Sequence, residues 1–314
     1  MPTQGNVARW LTAFVLTGAA AGCSGGSHHD SAGAATATTT TTTAPAAATA
    51  TSSPSTTLPA TGPVGGPVPA GFQPASVTFT SAEDGWVLGD APCGHPVCTS
   101  LVRTVDAGHT WQGVPAPPAP FDASPGRLGG ATGVFGVRFA DPRDGWAYGS
   151  QVWATHDAGA TWHLVSLPGL GAGTQVLDLE AASGVVFAIV GSTSGGALGL
   201  DRSAAGTDGW STAASVGSAA TSPTPRLVLA GRRGWLIYGA AQGGGPAWLS
   251  TTDVASGRGW VPGHGPCAGP DGGGVMAVAP SGVVDVVCAG PGGVGQEQKP
   301  VFQAADGTTF TLVY

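Results

Sequence analysis

The amino-acid sequence predicts an all-β chain, a β-propeller of about five four-stranded blades, set behind an export signal and a disordered tether. Three observations carry that expectation. An aromatic residue recurs as Trp111, Trp162, Trp210, Trp260 and Phe310, at intervals of 51, 48, 50 and 50 residues. Each unit divides into four short runs of alternating or β-branched residues separated by Gly, Pro and Asp. No stretch after Gly71 keeps a 3.6-residue apolar period. Four short strands repeated at a fixed period describe propeller blades.

The elements follow in chain order. Residues 1–22 read as a signal peptide, with Arg9 ahead of the apolar stretch Trp10–Gly22. Its 13 residues fall short of the roughly 20 that a membrane-spanning helix needs. The stretch closes in Ala20-Ala21-Gly22-Cys23, which resembles a bacterial lipobox with Ala20 where that pattern usually carries Leu. The resemblance implies cleavage before Cys23 and its lipidation. The chain would then sit on the outer face of the cytoplasmic membrane, touching it through the lipid anchor only, or be secreted if the lipobox fails. Residues 23–70 read as a tether. The run Thr38–Thr43 lies among Ala, Ser and Pro, with too little apolar surface to offset ordering, and its Ser/Thr/Pro content fits an O-glycosylated stalk. His28-His29-Asp30 reads as polar tether sequence, because a metal-ligand set needs a fold behind it.

Residues 71–314 are the expected propeller. Its first two units match closely. Gly85-Trp86 opens a short run that leads to Thr104-Val105-Asp106-Ala107-Gly108-His109-Thr110-Trp111. Gly145-Trp146 does the same and leads to Thr155-His156-Asp157-Ala158-Gly159-Ala160-Thr161-Trp162. In S/T-x-D-x-G-x-T-W, Asp106 and Asp157 can accept backbone N–H groups of their own turn. Gly108 and Gly159 suit positive φ. Thr110 and Thr161 start the last strand, and Trp111 and Trp162 are expected to wedge between adjacent blades. Thr104 and Thr155 complete the motif. These residues are read as structural. Later units lose the detail: Ser203–Trp210 lacks the Asp at its place, Thr251-Thr252-Asp253 has a longer turn before Trp260, and Ala304-Ala305-Asp306-Gly307 drops a residue before Phe310.

The S/T-x-D-x-G-x-T-W half is the Asp-box, or BNR repeat. With the Gly-Trp half ahead of it, the chain resembles the photosystem II assembly and stability factor family and the sialidase-like and sortilin-like propellers. The resemblance runs over about Gly71–Tyr314 and is strongest in the first two units. It implies a non-catalytic binding or scaffold protein for an envelope protein or glycan. It also raises a sialidase-like exo-glycosidase as the alternative, and a purely structural envelope protein as a third reading. The photosystem factor uses a cluster of arginines on its protein partner. Arg103 and Arg138 lie on expected strands, as does Arg226, and Trp153 and Trp248 are less patterned than the repeat tryptophans. Arg103, Arg138, Trp153 and Trp248 are therefore the partner-binding expectation.

Composition narrows the function classes. Charged residues are 9% of the chain, the net charge is −7, and one Lys is present. Nucleic-acid binding needs a basic stripe that this chain does not have. Catalytic groups are scarce: Glu occurs at Glu83, Glu180 and Glu297, and Tyr at Tyr148, Tyr238 and Tyr314. Sialidases pair a Tyr nucleophile with a Glu, so Tyr148 and Glu180 are the pair to follow. No catalytic residue, metal or cofactor is expected, and the chain is expected to be a monomer. The exported location favours disulfides. Cys93 and Cys98 flank a hairpin loop, and Cys267 and Cys288 would link the loop after the fourth unit to the fifth. His95 inside the first loop has no second ligand pair nearby.

Overall fold

In the computed structural model of the chain, the residues described are 65–94, 97–123, 133–192, 194–219, 224–239, 246–263, 265–267, 274–279, 281–288, 292–293, 296–297 and 299–314. The signal segment, Cys23, His28-His29-Asp30, most of the tether and His95 lie outside them. The rest forms five four-stranded antiparallel sheets, each running in chain order. The first blade holds β1 (Gln73–Phe79), β2 (Gly85–Ala91), β3 (Cys98–Thr104) and β4 (Gln112–Val114). The second holds β5 (Val134–Phe139), β6 (Gly145–Gly149), β7 (Val152–Thr155) and β8 (His163–Val165). The third holds β9 (Gln175–Ala182), β10 (Val185–Gly191), β11 (Gly196–Ala204) and β12 (Ser211–Ala219). The fourth holds β13 (Arg226–Ala230), β14 (Arg233–Gly239), β15 (Pro246–Thr251) and β16 (Val261–Gly263). In the fifth, β17 (Gly274–Val278) and β18 (Val284–Cys288) are followed by a small hairpin of β19 (Gly292–Gly293) and β20 (Gln296–Glu297). The blade is completed by β21 (Val301–Ala304) and β22 (Thr311–Leu312).

The cores lie between blades. Strand side chains alternate between faces, and β10 uses both. Val186, Ala188 and Val190 pack toward the second blade with Trp146, Val165 and Leu179. Val185, Phe187 and Ile189 pack toward the fourth with Leu227, Leu236 and Leu249. All of β10 is buried as a result, and each large side chain there contributes about 1.5–3 kcal/mol. Trp86, Leu101, Val137 and Phe139 form the core between blades one and two, and Trp235, Trp248, Val284 and Val286 that between four and five.

The inner strands pack in sequence, β1 on β5, β5 on β9, β9 on β13 and β13 on β17. Among the described residues no comparable packing or core joins β17 back to β1. Among the described residues the main packing therefore runs in series from the first blade to the fifth, and β1 leaves Val77 and Phe79 about half exposed.

Two indole rules tie blade to blade. Second-strand indoles reach forward: Trp86 Nε1 donates to Ala158 O (3.4 Å), Trp146 Nε1 to Asp208 Oδ1 (3.3 Å) and Trp235 Nε1 to Gly307 O (2.8 Å). The recurring aromatics reach back: Trp210 meets Trp146, Trp260 meets Phe187 and Phe310 meets Trp248. Trp162 donates to Pro115 O of the first blade's trailing loop at 3.0 Å. Trp111 departs from the expected wedge. It has no preceding blade and lies edge-on to Phe79 of its own, with ring centroids 6.3 Å apart.

The glycines that open β2 and β6 have a steric cause. A Cβ on Gly85 would come within 2.5 Å of the Phe79 ring, and one on Gly145 within 2.6 Å of the Phe139 ring. The tether boundary also shifts. Gly66, read as tether, exchanges both backbone hydrogen bonds with Gly113 of β4 (2.8 and 2.9 Å), so order begins before Gly71. Cys93–Cys98 and Cys267–Cys288 are both disulfides.

Candidate functional site

The two clean motif turns are built alike. Thr104 Oγ1 donates to Asp106 Oδ1 and accepts from the Gly108 amide, while Asp106 accepts the Thr110 amide (2.8 Å) and hydroxyl (2.6 Å). Thr155, Asp157, Gly159 and Thr161 repeat this bond for bond. The Thr110 hydroxyl and amide and the Thr104 hydroxyl pull the Asp106 carboxyl down to about 2. Burial works against ionisation at Asp157, but the Thr161 bonds outweigh it and lower its pKa. Gly108 and Gly159 have φ of +83° and +91°, and Ala107 and Ala158 beside them also sit at positive φ (+61° and +64°). Both oxygens of each carboxylate accept hydrogen bonds inside the turn.

A second set of polar side chains lies on the inner strands of blades one to four. There, side chains stitch neighbouring blades through backbone groups. Ser76 and Thr78 of β1 accept the Val137 and Phe139 amides of β5. Arg138 of β5 donates from Nε to Leu179 O (3.1 Å) and from Nη2 to Glu180 Oε1 (2.5 Å). Asp178 of β9 accepts the Leu227 amide of β13 (2.8 Å).

Arg138 and Arg226 both act on Asp178 and on Tyr148, which lies flat over Gly136. A Cβ at Gly136 would meet the Tyr148 ring at 2.3 Å. Tyr148 is buried, and burial, reinforced by Asp178, pushes its phenol far up. Asp178 is raised by burial against the pull of the Leu227 amide and both arginines. Burial pushes the Glu180 carboxyl up to about 8 despite Arg138. The Arg138 and Glu180 side chains keep 26% and 21% of their surface open, and Arg226 is exposed. This rim carries two guanidiniums and a carboxyl whose ionisation burial disfavours.

The other expected partner residues lie elsewhere. Arg103 is buried on β3, bonded to Asp84 (3.1 Å) and stacked over Trp86 (4.9 Å to the ring centre). It therefore presents no free guanidinium. Trp248 is 3% exposed and packs in the core between blades four and five. Trp153 is half-buried, its Nε1 bonded to Gln151. Of the four, Arg138 alone belongs to the inner-strand cluster. Its partners Asp178 and Glu180 had a sequence signal: two carboxylates alternate with apolar residues in Val176-Leu177-Asp178-Leu179-Glu180. An acid inside a buried strand needs a partner.

No protein-family model matches the chain, and no curated protein matches it. Solved structures do match. YCF48 bound to D1 peptide aligns with 77% of this chain and 66% of its own, at 17% identity and a TM-score of 0.44. A GH74 xyloglucanase from Xanthomonas campestris aligns with 77% of this chain and 38% of its own, at 15% identity and a TM-score of 0.50. The Hadza microbial sialidase Hz136 aligns with 77% of this chain and 58% of its own, at 15% identity and a TM-score of 0.46. The chain thus spans about two thirds or less of the length of these structures. The class is a β-propeller.

Proposed function

We propose that this protein is a monomeric, non-catalytic binding propeller, anchored outside the cell through Cys23, that takes an anionic segment of an envelope partner polypeptide on its inner-strand rim. The observation that carries the reading is Arg138, bonded across to β9 from one side, with the exposed Arg226 opening β13, the inner strand packed on the other side of β9. Guanidiniums in such a frame favour a carboxylate, which they can hold in bidentate fashion. Because burial disfavours ionisation of Glu180, Arg138 keeps more of its charge for an incoming anion. The structure of YCF48 carries a bound peptide; the reading for this chain rests on its own residues.

The test is fluorescence anisotropy of the full chain against a panel of acidic peptides and their uncharged amide counterparts. Saturable binding of acidic peptides, weakened roughly 10- to 100-fold in R138A and R226A, is the expected result. Equal binding of both panels, or arginine variants that bind as wild type, would overturn it.

A second reading, a sialidase-like exo-glycosidase, gains from the gathering of Tyr148, Glu180, Arg138 and Arg226 at one rim. The burial of Tyr148 opposes it, because a nucleophile must reach its substrate. Turnover of a fluorogenic sialoside that is lost in both Y148F and E180Q would establish this reading over the first.

A further inference from the structure

On the outer rim, where blades two and three meet, three ligand atoms converge that the sequence keeps apart. His156 follows β7 in the motif turn, His163 opens β8, and Asp208 sits in the turn between β11 and β12. His156 Nε2 lies 3.1 Å, and His163 Nε2 2.6 Å, from the same oxygen, Asp208 Oδ2. The potential ligand atoms of the three residues all lie within 4.8 Å of one another. Tetrahedral zinc with bonds of about 2.0–2.1 Å needs ligand atoms roughly 3.3 Å apart, which small side-chain rotations reach from here.

The surroundings have the form of an outer shell. His156 Nδ1 faces Asp144 Oδ1 at 2.7 Å, a contact that holds the ring and turns Nε2 toward Asp208. Nε2 then meets a carboxylate oxygen at 3.1 Å, a contact that either a second ring proton or a cation between them balances. Trp146 Nε1 orients the other oxygen of Asp208 at 3.3 Å. A carboxylate behind a ligating His and a donor behind a ligating carboxylate are what metal centres use to fix their ligands. The side chain of His163 is 52% exposed and that of His156 31%, so an ion has access and a fourth position faces water.

We propose that His156, His163 and Asp208 form a three-ligand site for a divalent transition cation of the zinc class, with Asp144 and Trp146 as positioning residues, clamping the second blade to the third. Two imidazoles and one carboxylate suit zinc and copper(II) and disfavour calcium and magnesium, which take oxygen ligands. This site is independent of the inner-strand rim, so either proposal can fail alone.

The test is calorimetric titration of the chelator-treated full chain with zinc chloride. One zinc per chain is expected, with affinity roughly 10- to 100-fold weaker in D144N and binding at this site abolished in H163A and D208N. Thermal unfolding read alongside would rise with zinc in the wild type and not in H163A or D208N, since a ligand bound to the native state alone stabilises it. H163A changes a half-exposed side chain and keeps the fold testable. The variant H28A/H29A separates the tether histidines and is expected to bind as wild type. No saturable zinc binding, or binding kept in H163A and D208N but lost in H28A/H29A, would overturn the proposal.

Discussion

The indole nitrogen of Trp235 donates to the carbonyl oxygen of Gly307 at 2.8 Å, joining the second strand of the fourth blade to the last turn of the fifth. Gly307 sits at φ +71°, and a Cβ there would meet the Trp235 ring at 2.6 Å. Glycine thus serves both the turn and the approach of the indole. W235F keeps the ring and removes the donor, leaving a buried carbonyl unmatched. The expected cost is about 1–3 kcal/mol, read as a lower urea midpoint at unchanged slope. G307A is expected to cost at least as much, through both clash and strain. A neutral W235F would refute the indole's role as an inter-blade latch.

The motif turns predict an acid response. The Asp106 carboxyl titrates at about 2 in the fold against 3.8 for the free side chain. A depressed carboxylate contributes stability that is complete above the unfolded pKa and lost as pH falls toward the folded one. Stability should therefore fall between about pH 4 and about pH 2, and less steeply in D106N. Thermal melts across that window measure it. Parallel curves for wild type and D106N would contradict the assignment.

Binding on the inner-strand rim should depend on pH through Glu180. Its carboxyl is raised by burial to about 8. Below that pH it is neutral and Arg138 is free to attract an anion; above it the carboxylate competes for the guanidinium. Affinity for an acidic peptide should weaken as pH rises through about 8. E180Q should remove the dependence while binding at neutral pH survives. Anisotropy titrations across the range decide it, and a dependence kept in E180Q would assign it to another group.

The Cys267–Cys288 disulfide ties β18 to the loop leaving the fourth blade. Replacing both cysteines by Ala is expected to cost about 3 kcal/mol through the freed unfolded chain. Chemical denaturation measures the loss.

Much of this fold was legible in the sequence, because its signals are local. The aromatic spacing counted the blades. The Thr110 amide that Asp106 accepts falls within one turn, which is why the spacing pointed to backbone bonds there. What stayed hidden depends on contacts between strands and turns 19 to 52 residues apart. Nothing in Arg103 itself tells that it turns inward onto Trp86 and Asp84, whereas Arg138 reaches across to β9. Nor does Asp208 announce that its turn meets His156 and His163. The open end was hidden for the same reason. Trp111 carries the full motif, but whether it finds a preceding blade is decided by how the blades stack.

Because its cores lie between blades, the molecule behaves as a line of nearest-neighbour couplings. A ring has no ends; this series has two. Blades two, three and four are each held on both sides, and blades one and five on one side only. Loss of structure should therefore begin at the termini and travel inward. Amide exchange would rank the blades by their distance from an end, with β10 slowest and β1 and β22 fastest. On such a line, protection from unfolding comes from distance to an end, and the third blade, whose inner strand β9 lies between β5 and β13, stands farthest from both.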